Sequence, residues 1–167
     1  GGKAVLELGY EEDAGTACLY ASFDSLDNRV IKVGGAGKNC VLPAGVWTHV
    51  AAVWSPGFGD QASSLRIYLN GVMEFALTTN AVMPPVDSQR PTRVYLAGNG
   101  LAGQAMTSGF LDETRVWNAA LNMNSVLLNR DSILRASGNN MLLAYFRYDD
   151  GGEDIEDFCY PYAPDAA

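Results

Sequence analysis

Along most of the chain, apolar and polar residues alternate with a period of two, the pattern of strands with one buried and one wet face. Segments 3–8 and 17–23 show it first, and 29–33 shows it again before the turn Gly34-Gly35-Ala36-Gly37. Segment 47–54, from Trp47 to Trp54, is apolar on both parities. That predicts a central strand covered on each face, with the two tryptophans on opposite faces filling the space between layers. Ser55–Asp60 reads as loop punctuation. Leu65, Ile67 and Leu69 then alternate with Arg66 and Tyr68, and Met73, Phe75 and Leu77 mark a return strand. Asn70-Gly71 between them predicts a type I′ hairpin turn, since both central residues must take positive φ.

Pro84-Pro85 excludes a strand interior over 79–90, and further strands are expected at 93–97, 109–118 and 141–148. Only 122–135 changes period. Met123, Val126, Leu127 and Leu134 share one helical face there, and Asn122 is placed to cap the helix. The whole predicts an all-β, two-sheet antiparallel β-sandwich of the jelly-roll kind, with one short late helix closing an open end. Residues 1–150 read as one domain of ordinary size and 151–167 as an acidic C-terminal extension.

Nineteen acidic against eleven basic residues give a net charge of −8. Nucleic acid and anionic membrane are thereby disfavoured as partners, because phosphates need a basic face. No apolar run approaches the length of a membrane span, so membrane insertion is not expected. The opening Gly1-Gly2-Lys3 has neither initiator Met nor signal region and reads as a piece of a longer polypeptide. Cys18, Cys40 and Cys159 lack metal-binding spacing, and an odd count allows at most one internal bridge, with Cys18–Cys40 the pair to test against buried thiols. No Asn-x-Ser/Thr acceptor occurs, which favours a bacterial source.

Three segments in order go beyond generic β structure: Trp47-Thr48-His49-Val50-Ala51, Leu65-Arg66-Ile67-Tyr68-Leu69-Asn70-Gly71, and Gly109-Phe110-Leu111-Asp112-Glu113-Thr114-Arg115-Val116-Trp117-Asn118 followed by Ala120-Leu121 and the helix. Together they resemble the laminin-G-like modules of the concanavalin A-like lectin/glucanase superfamily, to which pentraxins are also similar. The closing Leu143–Gly151 resembles the last strand of such modules in large bacterial surface proteins. The Phe-Asp-Gly-like opening motif and the strand ending near a Trp are missing here. The resemblance implies a non-catalytic binding or adhesion module of a secreted or cell-surface protein, with a glycan or protein ligand bound through loops at one end or one sheet face. A spacer without its own ligand and a jelly-roll enzyme stand as alternatives.

Alternation over 109–118 puts Asp112 on one face with Phe110, Thr114 and Val116, which aims a carboxylate at the core, where it must be paired or neutralised. Hydrogen bonds from amides or an arginine would do this. Calcium would too, and the resemblance implies it, since related jelly rolls often ligate structural calcium from the equivalent position. The resemblance to pentraxins likewise offers Asn99 and Gln104, in a loop without acidic residues, as oxygen ligands. Glu11-Glu12-Asp13, read as a loop tip, either holds a cation or keeps an edge soluble. His49, the only histidine, shares a face with Trp47, Ala51 and Val53 and is expected as a hydrogen-bonded core residue. Retaining glycosidases need two carboxylates about 5–5.5 Å apart. No strand offers such a pair on an inward face, Asp112 and Glu113 point to opposite faces, and no Gly-x-Ser-x-Gly occurs, so an enzyme is not expected.

Overall fold

The computed structural model describes residues 6–38, 42–58, 60–83, 109–134 and 141–149. Those within 6–83 and 121–132 form one compact unit, and those within 109–120 and 133–149 a second. The expected strand at 93–97, Cys40, Asn99, Gln104 and the extension 151–167 lie outside the described residues.

In the first unit, β1 (Glu7–Asp13), β2 (Thr16–Asp24) and β3 (Val30–Gly34) make one antiparallel sheet. β4 (Val50–Ser55), β5 (Ser63–Leu69) and β6 (Val72–Thr79) make another. The period of two decides how they face. Leu19, Ala21 and Phe23 of β2 and Ile31 and Val33 of β3 are buried in one cluster with Leu65 and Ile67 of β5. Trp54 reaches that layer edge-on to Phe23, ring centroids 4.6 Å apart. Leu65 and Ile67 are fully buried, each worth about 1.5–3 kcal/mol relative to exposure. The described residues are all-β but for one helix, and this core is the interior of the expected antiparallel sandwich.

The Asn70-Gly71 turn has the expected positive φ at both residues, 49° and 83°, and a bulge between Ile67 and Tyr68 shifts the register of β5 against β6. β1 runs on to Asp13, because Ala14 and Gly15 take φ of 49° and 80° and close a tight turn of their own. Glu11-Glu12-Asp13 therefore ends a strand and is no loop tip. β4 starts at Val50, three residues later than the pattern suggested. His49 N–H is bound by the Asn70 side chain at 3.0 Å, and the Asn70 N–H binds His49 O at 2.9 Å. Trp47, ahead of this clasp, is 68% exposed and fills no layer. His49 is half-buried instead of lying in a core.

α1 (Met123–Arg130) begins as expected at Asn122, whose Oδ1 accepts the Ser125 N–H at 2.9 Å. It does not close an end of the sandwich. Val126 packs with Val53 and Tyr68 on the face of the second sheet turned away from the core. The central strand β5 is thus covered on both sides.

The second unit holds β7 (Thr114–Trp117) and β8 (Leu142–Phe146), an antiparallel pair in which Arg115 faces Tyr145. β7 is shorter than segment 109–118 suggested. Glu113 takes φ of 54° and ends the regular alternation, while Phe110 is 85% exposed. No helix among the described residues is long and apolar enough to cross a membrane.

Candidate binding hollows at one end of the sandwich

Three connections gather at one end of the first unit: the turn after β2, the loop from β4 to β5, and the segment after β6. The first is stiff. Ser25 N–H donates to Arg29 O at 2.9 Å and the Ser25 hydroxyl accepts the Arg29 N–H at 3.0 Å, while Arg29 Nε lies 2.6 Å from Asp27. The Ser25 hydroxyl, then Arg29, hold the Asp27 carboxyl below the usual carboxylate range. Leu26 N–H donates to Val82 O at 3.0 Å and ties this turn to the segment after β6.

The second connection folds on Gly57, where a β-carbon would lie 2.0 Å from Gln61 O. Gly57 N–H donates to Ser63 Oγ at 2.9 Å, and Gln61 N–H to Phe58 O at 3.2 Å. Phe58 stands at the tip, 89% exposed.

Between the second and third connections lies a hollow of about 380 Å³ lined by Gly57, Asp60, Gln61, Ala62, Ser63, Asn80 and Val82. Its size falls within the range of small-molecule sites, about 300–1,000 Å³. Ser63 is nine-tenths buried, and its oxygen accepts from Gly57 while no acceptor for its own hydrogen stands among the described residues. A smaller hollow of about 210 Å³ is lined by Glu7, Ser22, Phe23, Asp24 and Val30, the last two flanking the Ser25–Arg29 turn. There Glu7 accepts from the Tyr20 hydroxyl at 2.8 Å and from Ser22 at 3.4 Å.

The outer face of the first sheet continues from Glu7. Strand pairing sets Glu7, Gly9, Glu11 and Asp13 beside Ser22, Tyr20, Cys18 and Thr16. A same-face row of carboxylates therefore exists on β1, pointing away from the core; the expectation that no inward pair exists does not cover it, although the spacing Glu7-x-x-x-Glu11-x-Asp13 discloses it. The row is already engaged. Glu11 is ion-paired with Lys32 and accepts the Ala36 N–H at 3.1 Å, and Asp13 accepts the Gly37 N–H at 2.8 Å. The Lys32 contact first, then the Ala36 amide, lower the Glu11 pKa. Tyr20 lies over Gly9 with the Lys32 ammonium 4.5 Å from its ring centre, and burial followed by the Glu7 bond pushes its phenol up to about 12.

In the second unit, Asp112 is exposed and uses Oδ1 to accept the Glu113 N–H at 2.9 Å. The inward carboxylate is instead its neighbour. Glu113 receives Arg115 Nη2 at 2.5 Å and the Tyr145 hydroxyl, with Arg147 at 3.8 Å. Burial first, then the Glu113 bond, raise the Tyr145 pKa. The left-handed backbone at Glu113 changed the parity on which Asp112 was expected to point inward. Among the described residues no group of three or more His, Cys, Asp or Glu side chains could hold a metal ion.

The chain matches the laminin G model described as the concanavalin A-like lectin/glucanases superfamily over residues 6–127. No curated protein and no solved structure matches it.

Proposed function

The chain belongs to the concanavalin A-like lectin/glucanases superfamily, and on that premise we propose that it is a non-catalytic binding module, part of a larger secreted or surface protein, that takes a glycan in the hollow beside Phe58. Modules of this kind bind carbohydrate or protein ligands. The observation that carries the glycan reading is the lining of the larger hollow. Asp60, Gln61 and Asn80 border it, with no side-chain partner for any of them among the described residues, and the Ser63 hydroxyl adds a spare donor. Such groups match sugar hydroxyls, each of which both donates and accepts. The exposed Phe58 ring and Val82 beside them offer apolar surface for the C–H face of a pyranose. Stiff flanking connections favour binding with little rearrangement.

The engagement of Glu11 and Asp13 supports the non-catalytic half of this reading. A general acid needs a raised pKa, and Glu11 is held low by Lys32.

The test is calorimetric titration of the chain with a panel of oligosaccharides, repeated on Phe58→Ala and Asn80→Ala. Both positions are surface sites whose loss should leave the melting curve near that of the parent. Binding should weaken about tenfold or more in each. Parent-like affinity in both variants would remove the hollow as the site, and absence of any oligosaccharide binding would favour a spacer role.

A further inference from the structure

Most arginines among the described residues lie against a carboxylate: Arg29 against Asp27, Arg115 against Glu113, Arg130 against Asp131, and Arg147 against Asp149. Arg66 does not. It has no ion pair among the described residues, and its Nε–H is buried without an acceptor. An unpaired buried donor on a charged group costs free energy that an apolar side chain of similar length would not. A ligand atom that accepts from it removes that cost.

The strands say what surrounds it. Leu65 and Ile67 face the core, so Arg66 between them points to the other face of the second sheet. Strand pairing sets it between Val53 of β4 and Ala76 of β6. One step along the same face, about 7 Å away, Ser64 stands between Ser55 and Thr78. In the other direction Val53, Tyr68 and Val126 form the buried apolar cluster beneath α1. Ala76 and Thr78 are exposed, so the face is open to solvent along β6. The guanidinium therefore has an apolar cluster on one side, where charge pairing is strengthened, and small side chains bearing hydroxyls on the other.

We propose that this face is a second binding site, and that Arg66 takes the carboxylate of a uronic acid in a glycan. The Nε–H and one Nη–H of a guanidinium form two parallel donors that match the two oxygens of a carboxylate. Ser55, Ser64 and Thr78 are left to the hydroxyls of the same sugar, which both donate and accept. The chain's net charge of −8 opposes a densely sulfated chain, whereas one carboxylate needs only the one guanidinium. The site lies on the opposite face of β5 from Ser63, and the proposal stands independently of the hollow beside Phe58.

The experiment titrates the chain with short oligomers of galacturonic acid, of galactose and of sulfated galactose, and with a glutamate peptide, following backbone amide signals by NMR. The uronic oligomer should shift the signals of residues 64–66 and 76–78 saturably and bind there at least tenfold more tightly than the other three. Arg66→Met should abolish these shifts while melting at the parent's temperature or above it, since the unpaired buried donor is gone. Arg66→Lys keeps the charge but not the paired donors, and should weaken binding threefold or more. Parent-like binding in either variant would overturn the proposal, as would a clearly lower melting temperature for Arg66→Met, which would make the guanidinium a structural group. Equally tight binding of the sulfated oligomer, the neutral oligomer or the peptide at these residues would overturn the choice of a uronic acid. Uronic shifts confined to Gln61 and Asn80 would also overturn it and leave the hollow as the glycan site, whereas shifts at residues 64–66 with none at the hollow would sink the reading of the hollow alone.

Discussion

Gly71 and Leu127 touch so closely that a β-carbon on Gly71 would lie 2.5 Å from Leu127 Cδ1. The glycine at the tip of the β5–β6 hairpin thus does two things. It supplies the positive φ that the turn demands, and its missing side chain leaves room for the helix. Arg130 adds to the attachment by donating from Nη1 to Asn70 O at 2.8 Å. The hairpin turn and the helix that covers Tyr68 are therefore one packing unit.

Gly71→Ala should accordingly cost about 2 kcal/mol or more, from the left-handed backbone and the clash together. The two contributions can be separated by a double-mutant cycle with Leu127→Ala, measured by urea unfolding. Shortening Leu127 should return part of the loss, leaving the cost of the backbone alone. Additive effects would mean that the helix does not seat on the turn.

That turn was legible in the sequence because Asn-Gly between two alternating runs has a local cause. The helix start at Asn122 was legible for the same reason: an Asn side chain caps the amide three residues on without help from elsewhere. Trp47 was misplaced because apolar character on both parities cannot say where a strand begins; the clasp between His49 and Asn70, 21 residues apart, sets that start. The helix position failed likewise, since its periodicity names a buried face but not the surface that buries it. The larger hollow left no periodic trace. Most of its residues, among them Gly57, Asp60, Asn80 and Val82, sit in or beside loop punctuation, and only the closing of the sheet brings them together. Glu7 falls in the expected strand 3–8 and Asp24 just past the expected strand 17–23, and neither was given a role.

Tyr20 should leave a signature at high pH. An unfolded tyrosine titrates near 10, and burial plus the bond to Glu7 move Tyr20 to about 12. A raised pKa means that the folded state holds its proton longer, so this contribution to stability is complete below pH about 10 and is lost as pH rises toward about 12. Tyr145 and Tyr148 are also raised, by burial first, and act in the same direction. Unfolding free energy should therefore fall from about pH 10 upward, and Tyr20→Phe should flatten part of that fall. A variant whose high-pH profile parallels the parent would show that Tyr20 is not held protonated by this surface.

Asp112 and Glu113, adjacent in sequence, should respond unequally to removal. The Asp112 carboxylate is exposed and caps one amide, so Asp112→Ala should cost about 0.5–1 kcal/mol, near the limit of ordinary surface changes. Glu113 accepts from Arg115 and from the fully buried Tyr145, and the Arg115 side chain is only 8% exposed. Taking Glu113 away removes the carboxylate from a guanidinium that water barely reaches, and breaking a buried pair from one side costs about 3–5 kcal/mol. Because Glu113 is itself about one-third exposed, at 32%, the loss for Glu113→Ala should fall below that range, at about 2 kcal/mol. Replacing both ends, Glu113→Leu with Arg115→Met, should recover stability relative to Glu113→Ala, since the guanidinium that lost its carboxylate is then replaced by an apolar side chain. Denaturant unfolding of the four proteins settles the order. If Asp112→Ala proved the more damaging single change, the buried carboxylate of this corner would be Asp112 after all, and the left-handed turn at Glu113 would not be what sets which side chain points inward.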